Sequence, residues 1–483
     1  MDKSQPIIIV GSGVYGLSSA YHLATAGYTN IKVFDRGDYD NNEFSPLQGA
    51  DGASTDVNKL VRASYVDKVH YQDLAVEALH DYHEWNEQLL KMPFLPRALA
   101  TIQERCLQEG DLEPIFQNTG YIRLDDYENG EEERNLHNFE KAGLRKHSYD
   151  INNADDITRA KITGWYRALD PLNQREKVPT LTGVLDSFAG VALADKCLIW
   201  VRYLCERTGN VQFIYGPGKG EVSNLVYSAE DSLKVVGVKT VDGKEHQATK
   251  VVLAAGGWTP KFVPESLSPR LEAMASTYIM IQIPRDRRDL INKYRRIPMI
   301  NWRMTYESNF RSDAVYVFPA THDGILKMGV NDHYWRNLVK VGDEMVSIPD
   351  TNMKLLPKQS LLDYQKFIKE FMPDLYEAGA SIEKTKICFS SVGQQNELVI
   401  DFVPSYKNLL VCAGGGFHGY KFLPVIGRFT EGLISGKQYS HSQFFKFDYI
   451  DPKDYKPIVK DPEHEYALNS VEFAESRSKY YDY

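Results

Sequence analysis

The sequence predicts an α/β chain in which one unit holds an elongated ligand and a second unit closes over it. Three observations predict it. Residues 6–35 run as apolar strand, glycine-rich turn, helix and second strand ending in an acid. Two later apolar strands, 250–255 and 408–413, also end in glycines. Between them, alternating segments such as 314–318 and 326–330 have the period of antiparallel strands.

The first unit is the most informative. Ile7, Ile8, Ile9 and Val10 lead into Gly11, Gly13 and Gly16 in the spacing G-x-G-x-x-G. Gly11 suits a tight turn, Gly13 lets backbone approach a pyrophosphate, and Gly16 lets helix and strand pack closely. The helix start, with Val14 and Tyr15, offers free N–H groups to phosphates. A second strand, Ile31 to Phe34, ends at Asp35, where a carboxylate suits a ribose diol, followed by Arg36. This is a Rossmann-type dinucleotide-binding unit. The second glycine stretch, Ala254-Ala255-Gly256-Gly257, points to FAD more than NAD.

Composition excludes several classes. The 483 residues are too many for one simple core, so two domains are expected. With 43% hydrophobic and 25% charged residues the chain reads as soluble and globular. Its net charge of −9 disfavours a general nucleic-acid or anionic-membrane surface. Five scattered cysteines without C-x-x-C suggest neither a disulfide framework nor a zinc site, and no metal site is expected. No apolar run reaches the roughly 18–20 residues of a membrane span. Met1–Pro6 leads straight into an apolar strand and is no signal peptide, and Tyr481-Asp482-Tyr483 is not the peroxisomal tripeptide; a cytoplasmic protein is expected.

Along the chain, Thr55 to Arg62 reads as helical, with Lys59 and Arg62 on one face. Apolar spacing predicts a helix over 71–91 and a strand over 119–124. Residues 125–180 are polar, with helices and turns. A helix is expected to begin near Ala189 and run to about Arg207, followed by a strand over 211–215 and a hairpin over 233–249. Lys327 sits between Leu326 and Met328, where an outward-facing strand residue is the ordinary reading; Cys388 alone reads as a buried thiol. After the strand at 408–413, a helix is expected over 425–434, and 441–483 as an irregular tail. Pro217-Gly218-Lys219-Gly220 lacks the continuation of a phosphate loop and is a turn. The domain division is 1–92, 178–262 and 395–440 for the cofactor, and 93–177 and 263–394 for the substrate.

The motifs Gly11-x-Gly13-x-x-Gly16, Asp56-x-Asn58-Lys59-x-x-Arg62, Gly324-x-x-Lys327-x-Gly329, the run around Cys388, and His418-Gly419-Tyr420-Lys421-Phe422-x-Pro424 occur in this order. Together they make the chain resemble the flavin amine oxidases of the monomeric sarcosine oxidase family. Within it, the likeness is greatest to the fungal fructosyl amino acid oxidases (amadoriases), saccharopine oxidases and pipecolate oxidases. The resemblance implies a glutathione-reductase-like FAD domain and a monomer. It implies FAD attached through its 8-methyl group to Cys388, and cofactor contacts from Lys59, Gly416, His418, Gly419 and Lys421. It implies Lys327 beside flavin N5 where oxygen reacts, Arg62 and Lys421 on the substrate carboxylate, and Tyr316 lining the pocket. Asn331 stands where small-substrate sarcosine oxidases have histidine, and His333, on the same strand face, lies one pair further on. Trp302, Tyr306, Phe310 and Tyr316 suit a ring or sugar, or simply a core. The implied reaction is hydride transfer from the C–H next to nitrogen of a secondary or N-substituted amino acid to flavin N5. O2 then reoxidises the flavin to give H2O2. The alternatives are a dehydrogenase passing electrons to a carrier, or a flavin-binding protein without turnover.

Overall fold

The structure is a computed structural model, and it describes residues 2–110, 112–127, 130–303, 314–351 and 355–474, without the side chains of 331–333. Two large sheets organise it. The first has six strands in the order Val399–Phe402, Leu409–Ala413, Lys250–Leu253, Ile7–Val10, Ile31–Asp35 and Val211–Tyr215. All its pairings are parallel except that of the first two. Its central strand, Ile7–Val10, is buried throughout, so it reads as a continuous apolar run.

Helix Val14–Thr25 crosses one face and meets helix Gly427–Ser435. Gly427 permits the approach: a Cβ there would lie 2.0 Å from the Ser18 carbonyl oxygen. The long helix Val69–Lys91 buries Tyr71, Leu74, Ala78, Tyr82, Trp85 and Leu89 along one stripe against the same core.

The second sheet has eight strands. Their order is Ser381–Gly393, Leu271–Gln282, Ile325–Trp335, Ala314–Val317, Met299–Arg303, Tyr121–Asp125, Thr182–Asp186 and Ser148–Asp150. It is antiparallel except between Met299–Arg303 and Tyr121–Asp125, which makes it mixed. Alternation sorts its side chains. Ile279, Trp302, Val315, Val317, Leu326 and Met328 join one core under helix Lys358–Phe371. Tyr278, Tyr316 and Lys327 face the opposite way, toward the first sheet.

The expected hairpin is present, with strand Val222–Tyr227 added to it. Two local expectations fail. Lys59–Val61 is a strand, not a helix, because its backbone pairs with Gly190–Ala192. Gly190–Ala192 therefore cannot begin the next helix, which starts at Ala194. Thr182–Asp186 lies in the eight-stranded sheet, although 178–262 is expected in the cofactor unit.

The final segment is laced across both units. Phe445 is fully buried in the core of the first sheet and Leu468 in that of the second. Lys456 exchanges hydrogen bonds with the Gln394 amide, and Arg336 N–H donates to Tyr466 O. Among the described residues no helix is long and apolar enough to cross a membrane.

Candidate active site

A cavity of about 440 Å³ runs between the two sheets. All the predicted site residues line it except Gly16.

At one end is the glycine turn. Gly11 has φ +107°, and a Cβ there would lie 2.3 Å from Ala254 O, so the first strand and the strand at 250–253 close against each other only through glycine. Gly16 sits behind the turn, where a Cβ would lie 1.8 Å from Gly11 O. Its task is packing, not contact. Asp35 takes the backbone N–H of Ser12 at 2.7 Å and of Gly37 at 2.8 Å. Burial pushes its carboxyl above the ordinary value despite those hydrogen bonds. Arg36 pairs with Asp51 at 2.6 Å and lies 4.5 Å from the Trp258 ring, just past Gly256. Tyr15 is accommodated by Gly415 and Gly419, where Cβ atoms would lie 1.7 and 2.0 Å from its hydroxyl.

The middle carries buried charge. Lys327, 2% exposed, points from its strand into the cavity, and not outward as its neighbours first suggest. Its Nζ donates to Asp56 Oδ2 at 2.6 Å and Asn58 O at 2.9 Å, and lies 4.3 Å from the Phe318 ring. Lys59 Nζ reaches the same Asp56 oxygen at 2.8 Å. Burial drives the Lys327 ammonium down to about 8, against the pull of Asp56. Burial alone would raise Asp56, but Lys327 and Lys59 outweigh it and hold the carboxyl at about 2. Cys388 lies in register with Ser276, buried and unbridged like the other four cysteines. Lys386, two residues earlier on the same strand face, donates to Gly52 O at 2.9 Å and Thr55 O at 3.2 Å. Lys59, Lys327 and Lys386 all place positive charge near Cys388.

At the far end Lys421, 3% exposed, donates to Tyr65 Oη at 3.0 Å and His418 O at 2.8 Å. The Arg62 guanidinium lies 4.8 Å from the same Tyr65 ring. Neither cation has a carboxylate partner among the described residues. Tyr65 Oη is 3.0 Å from His418 Nδ1, and His418 Nε2 is 3.0 Å from Asn396 O. His418 is half-buried beside Gly416. Tyr316 joins this wall because Gly329, its register partner, has no side chain: a Cβ there would lie 1.8 Å from the ring. Tyr121, Met299 and Asn301 complete it. Trp302 faces away and packs on Phe371, so it belongs to the core. Tyr306 and Phe310 and the side chains of Asn331 and His333 lie outside the described residues.

Sequence reasoning missed Tyr65 and Lys386 and gave Asp56 no role. An aspartate, two lysines and an arginine within a few residues of Ser64-Tyr65 were the available signal. No group of metal-binding side chains occurs among the described residues.

A phosphate-turn sheet joined by one cavity to a charged, half-apolar face defines a flavin-binding oxidoreductase. The chain belongs to the FAD-dependent oxidoreductase family, whose model matches residues 6–432. It is 28% identical to L-saccharopine oxidase of Schizosaccharomyces pombe over 446 residues, covering 90% of each chain. It is 20% identical to monomeric sarcosine oxidase of a Bacillus species over 449 residues, covering 90% of this chain and 94% of that one. Its fold is that of fructosyl peptide oxidase from E. terrenum, with a TM-score of 0.76 and 20% identity over 99% of both chains.

Proposed function

We propose that this FAD-dependent enzyme oxidises a secondary or N-substituted amino acid and uses O2 as its electron acceptor. The observation that carries the reading is the pair Arg62 and Lys421: two cations flank one tyrosine in the cavity that also holds Lys327 and Cys388, and neither has a carboxylate partner among the described residues. A carboxylate is the complement such a pair selects.

The residues present fit FAD. Gly11 and Gly13 present bare backbone to the cavity, and the N-terminus of helix Val14–Thr25 opens on it. When bound, the flavin supplies a two-electron acceptor that O2 can regenerate with release of H2O2. In this reading Gly11, Gly13 and the start of the helix hold the pyrophosphate, with Asp35 and Arg36 beyond them. Cys388, buried on the strand wall of the cavity, tethers the ring as a thioether. Arg62 and Lys421 fix the substrate carboxylate and so aim the C–H next to nitrogen. Tyr316, Tyr121 and Met299 exclude water around the N-substituent. Lys327, held by Asp56 and Asn58, keeps a positive charge where superoxide develops.

The test is anaerobic mixing with N-alkyl, cyclic and glycated amino acids, followed by air and a peroxide assay. At least one class should bleach the yellow colour, and air should restore it with one peroxide per turnover. Arg62→Gln and Lys421→Met should each raise KM for that substrate about 10²-fold, the scale of one lost charged hydrogen bond. Bleaching that air does not reverse would refute the oxidase reading.

A further inference from the structure

Lys421 differs from Lys327 and Lys59, the lysines in the middle of the same cavity. Lys327 and Lys59 share a carboxylate, but among the described residues the hydrogen-bond partners of Lys421 are a phenol oxygen and a backbone carbonyl. Its neighbour Arg62 adds positive charge, and a guanidinium does not release its proton. The groups facing Lys421 can be named by segment. After the strand Lys59–Val61 come Arg62 and Tyr65. From helix Val69–Lys91 comes Tyr71, whose hydroxyl is bound by Glu397. Glu397 is also neutralised by Lys68 at 2.6 Å. From its own segment comes His418, whose imidazole accepts from Tyr65 through Nδ1 if Nε2–H is given to Asn396 O. No uncompensated negative charge stands near it among the described residues.

We propose that Lys421 is uncharged in the substrate-free site and takes up the proton that a zwitterionic substrate must shed before it can be oxidised. This rests on the anion-site reading given above. The balance is simple. One N–H bond of the substrate ammonium breaks and one forms on Lys421. No electrons move, and the site gains an ammonium opposite the arriving carboxylate. The neutral amine left behind has the lone pair that loss of its neighbouring C–H requires. Binding and deprotonation thus become one event, which removes any need for a separate carboxylate or histidine base. Tyr65 is the positioning residue: its hydroxyl can donate to a neutral Lys421 and accept from a charged one, while His418, half-buried, lies on its other side. Burial first, then Arg62, push the Lys421 ammonium well below its ordinary range, in agreement with the geometry.

The experiment uses the flavin-loaded enzyme and an (alkylthio)acetate, which has a carboxylate and no amine. Binding is followed by the visible flavin spectrum. Proton exchange is followed by calorimetry in buffers of different ionisation enthalpy. Near pH 8 binding should take up about one proton per site, and uptake should vanish at low pH where Lys421 is already charged. Lys421→Met should bind more weakly with no uptake. Tyr65→Phe should lower the uptake at a given pH or shift its window, a change that a purely packing role would not produce. Binding without uptake in the wild type, or uptake that persists in Lys421→Met, would overturn the inference and leave the anion site standing. Failure of the carboxylate to bind at all would overturn both.

Discussion

Replacing Lys327 by methionine should slow reaction of the reduced flavin with oxygen about 10²–10³-fold, the usual cost of removing one preorganised charge from a developing anion. The structure sets the scale. The ammonium is 2% exposed, and Asp56 Oδ2 and Asn58 O take two of its three N–H bonds. One N–H remains for the cavity. A unit charge about 4 Å from a forming anion, at an effective dielectric near 20, is worth roughly 4 kcal/mol before screening by Asp56, which leaves the 2.7–4 kcal/mol that such a factor requires. The same group supplies a pH signature. Burial lowers its ammonium to about 8, so the charge is present below that pH and lost above it. Wild-type reoxidation should therefore be level toward neutral pH and fall as pH rises through about 8, and the methionine variant should be flat. The assay is double-mixing stopped flow: anaerobic reduction, then oxygen, with return of the flavin absorbance as readout. Reduction by substrate should change by less than about tenfold, since one remote uniform contact is all that is lost there. Equal slowing of both half-reactions, or a wild-type oxygen rate indifferent to pH across 7 to 9, would refute the argument.

Other outcomes follow from the same geometry. Cys388→Ser should release all flavin on acid precipitation and leave the precipitate colourless, whereas the wild-type precipitate keeps its flavin. Asp56→Asn should cost about 2 kcal/mol of stability near neutral pH, because a carboxyl held at about 2 instead of its ordinary 3.8 contributes that much. That contribution is present above pH about 4 and lost as pH falls through about 2, so acid unfolding curves of variant and wild type should converge there. Gly329→Val would drive a branched side chain into the Tyr316 ring; a loss of about 1–3 kcal/mol in denaturant unfolding and a changed substrate preference in the peroxide assay are expected.

Much of the cofactor unit was legible in the sequence because its signals are local. Four apolar residues, three spaced glycines and an acid at a strand end sit within thirty residues, and each has one mechanical reason to be where it is. The charged site was legible only in part. Lys327 looked like a surface residue because alternation tells which side of a strand a residue takes, not what lies on that side. The eight-stranded sheet packs one face on a helix and turns the other to a polar cavity, so an apolar–polar alternation there means core and ligand, not core and water. Lys59 and Arg62 looked helical because three-residue spacing ignores the partner strand at 190–192, over 130 residues later in the chain. Tyr65 was missed despite the charged residues around it, since a phenol between two cationic groups is a relation between residues 62, 65 and 421 that exists only after folding.

The lacing of residues 441–474 over both cores has a consequence for how the chain is made. In synthesis this stretch follows every strand of both sheets. Phe445 and Leu468 can therefore take their places in the two cores only after the strands of both sheets have been made.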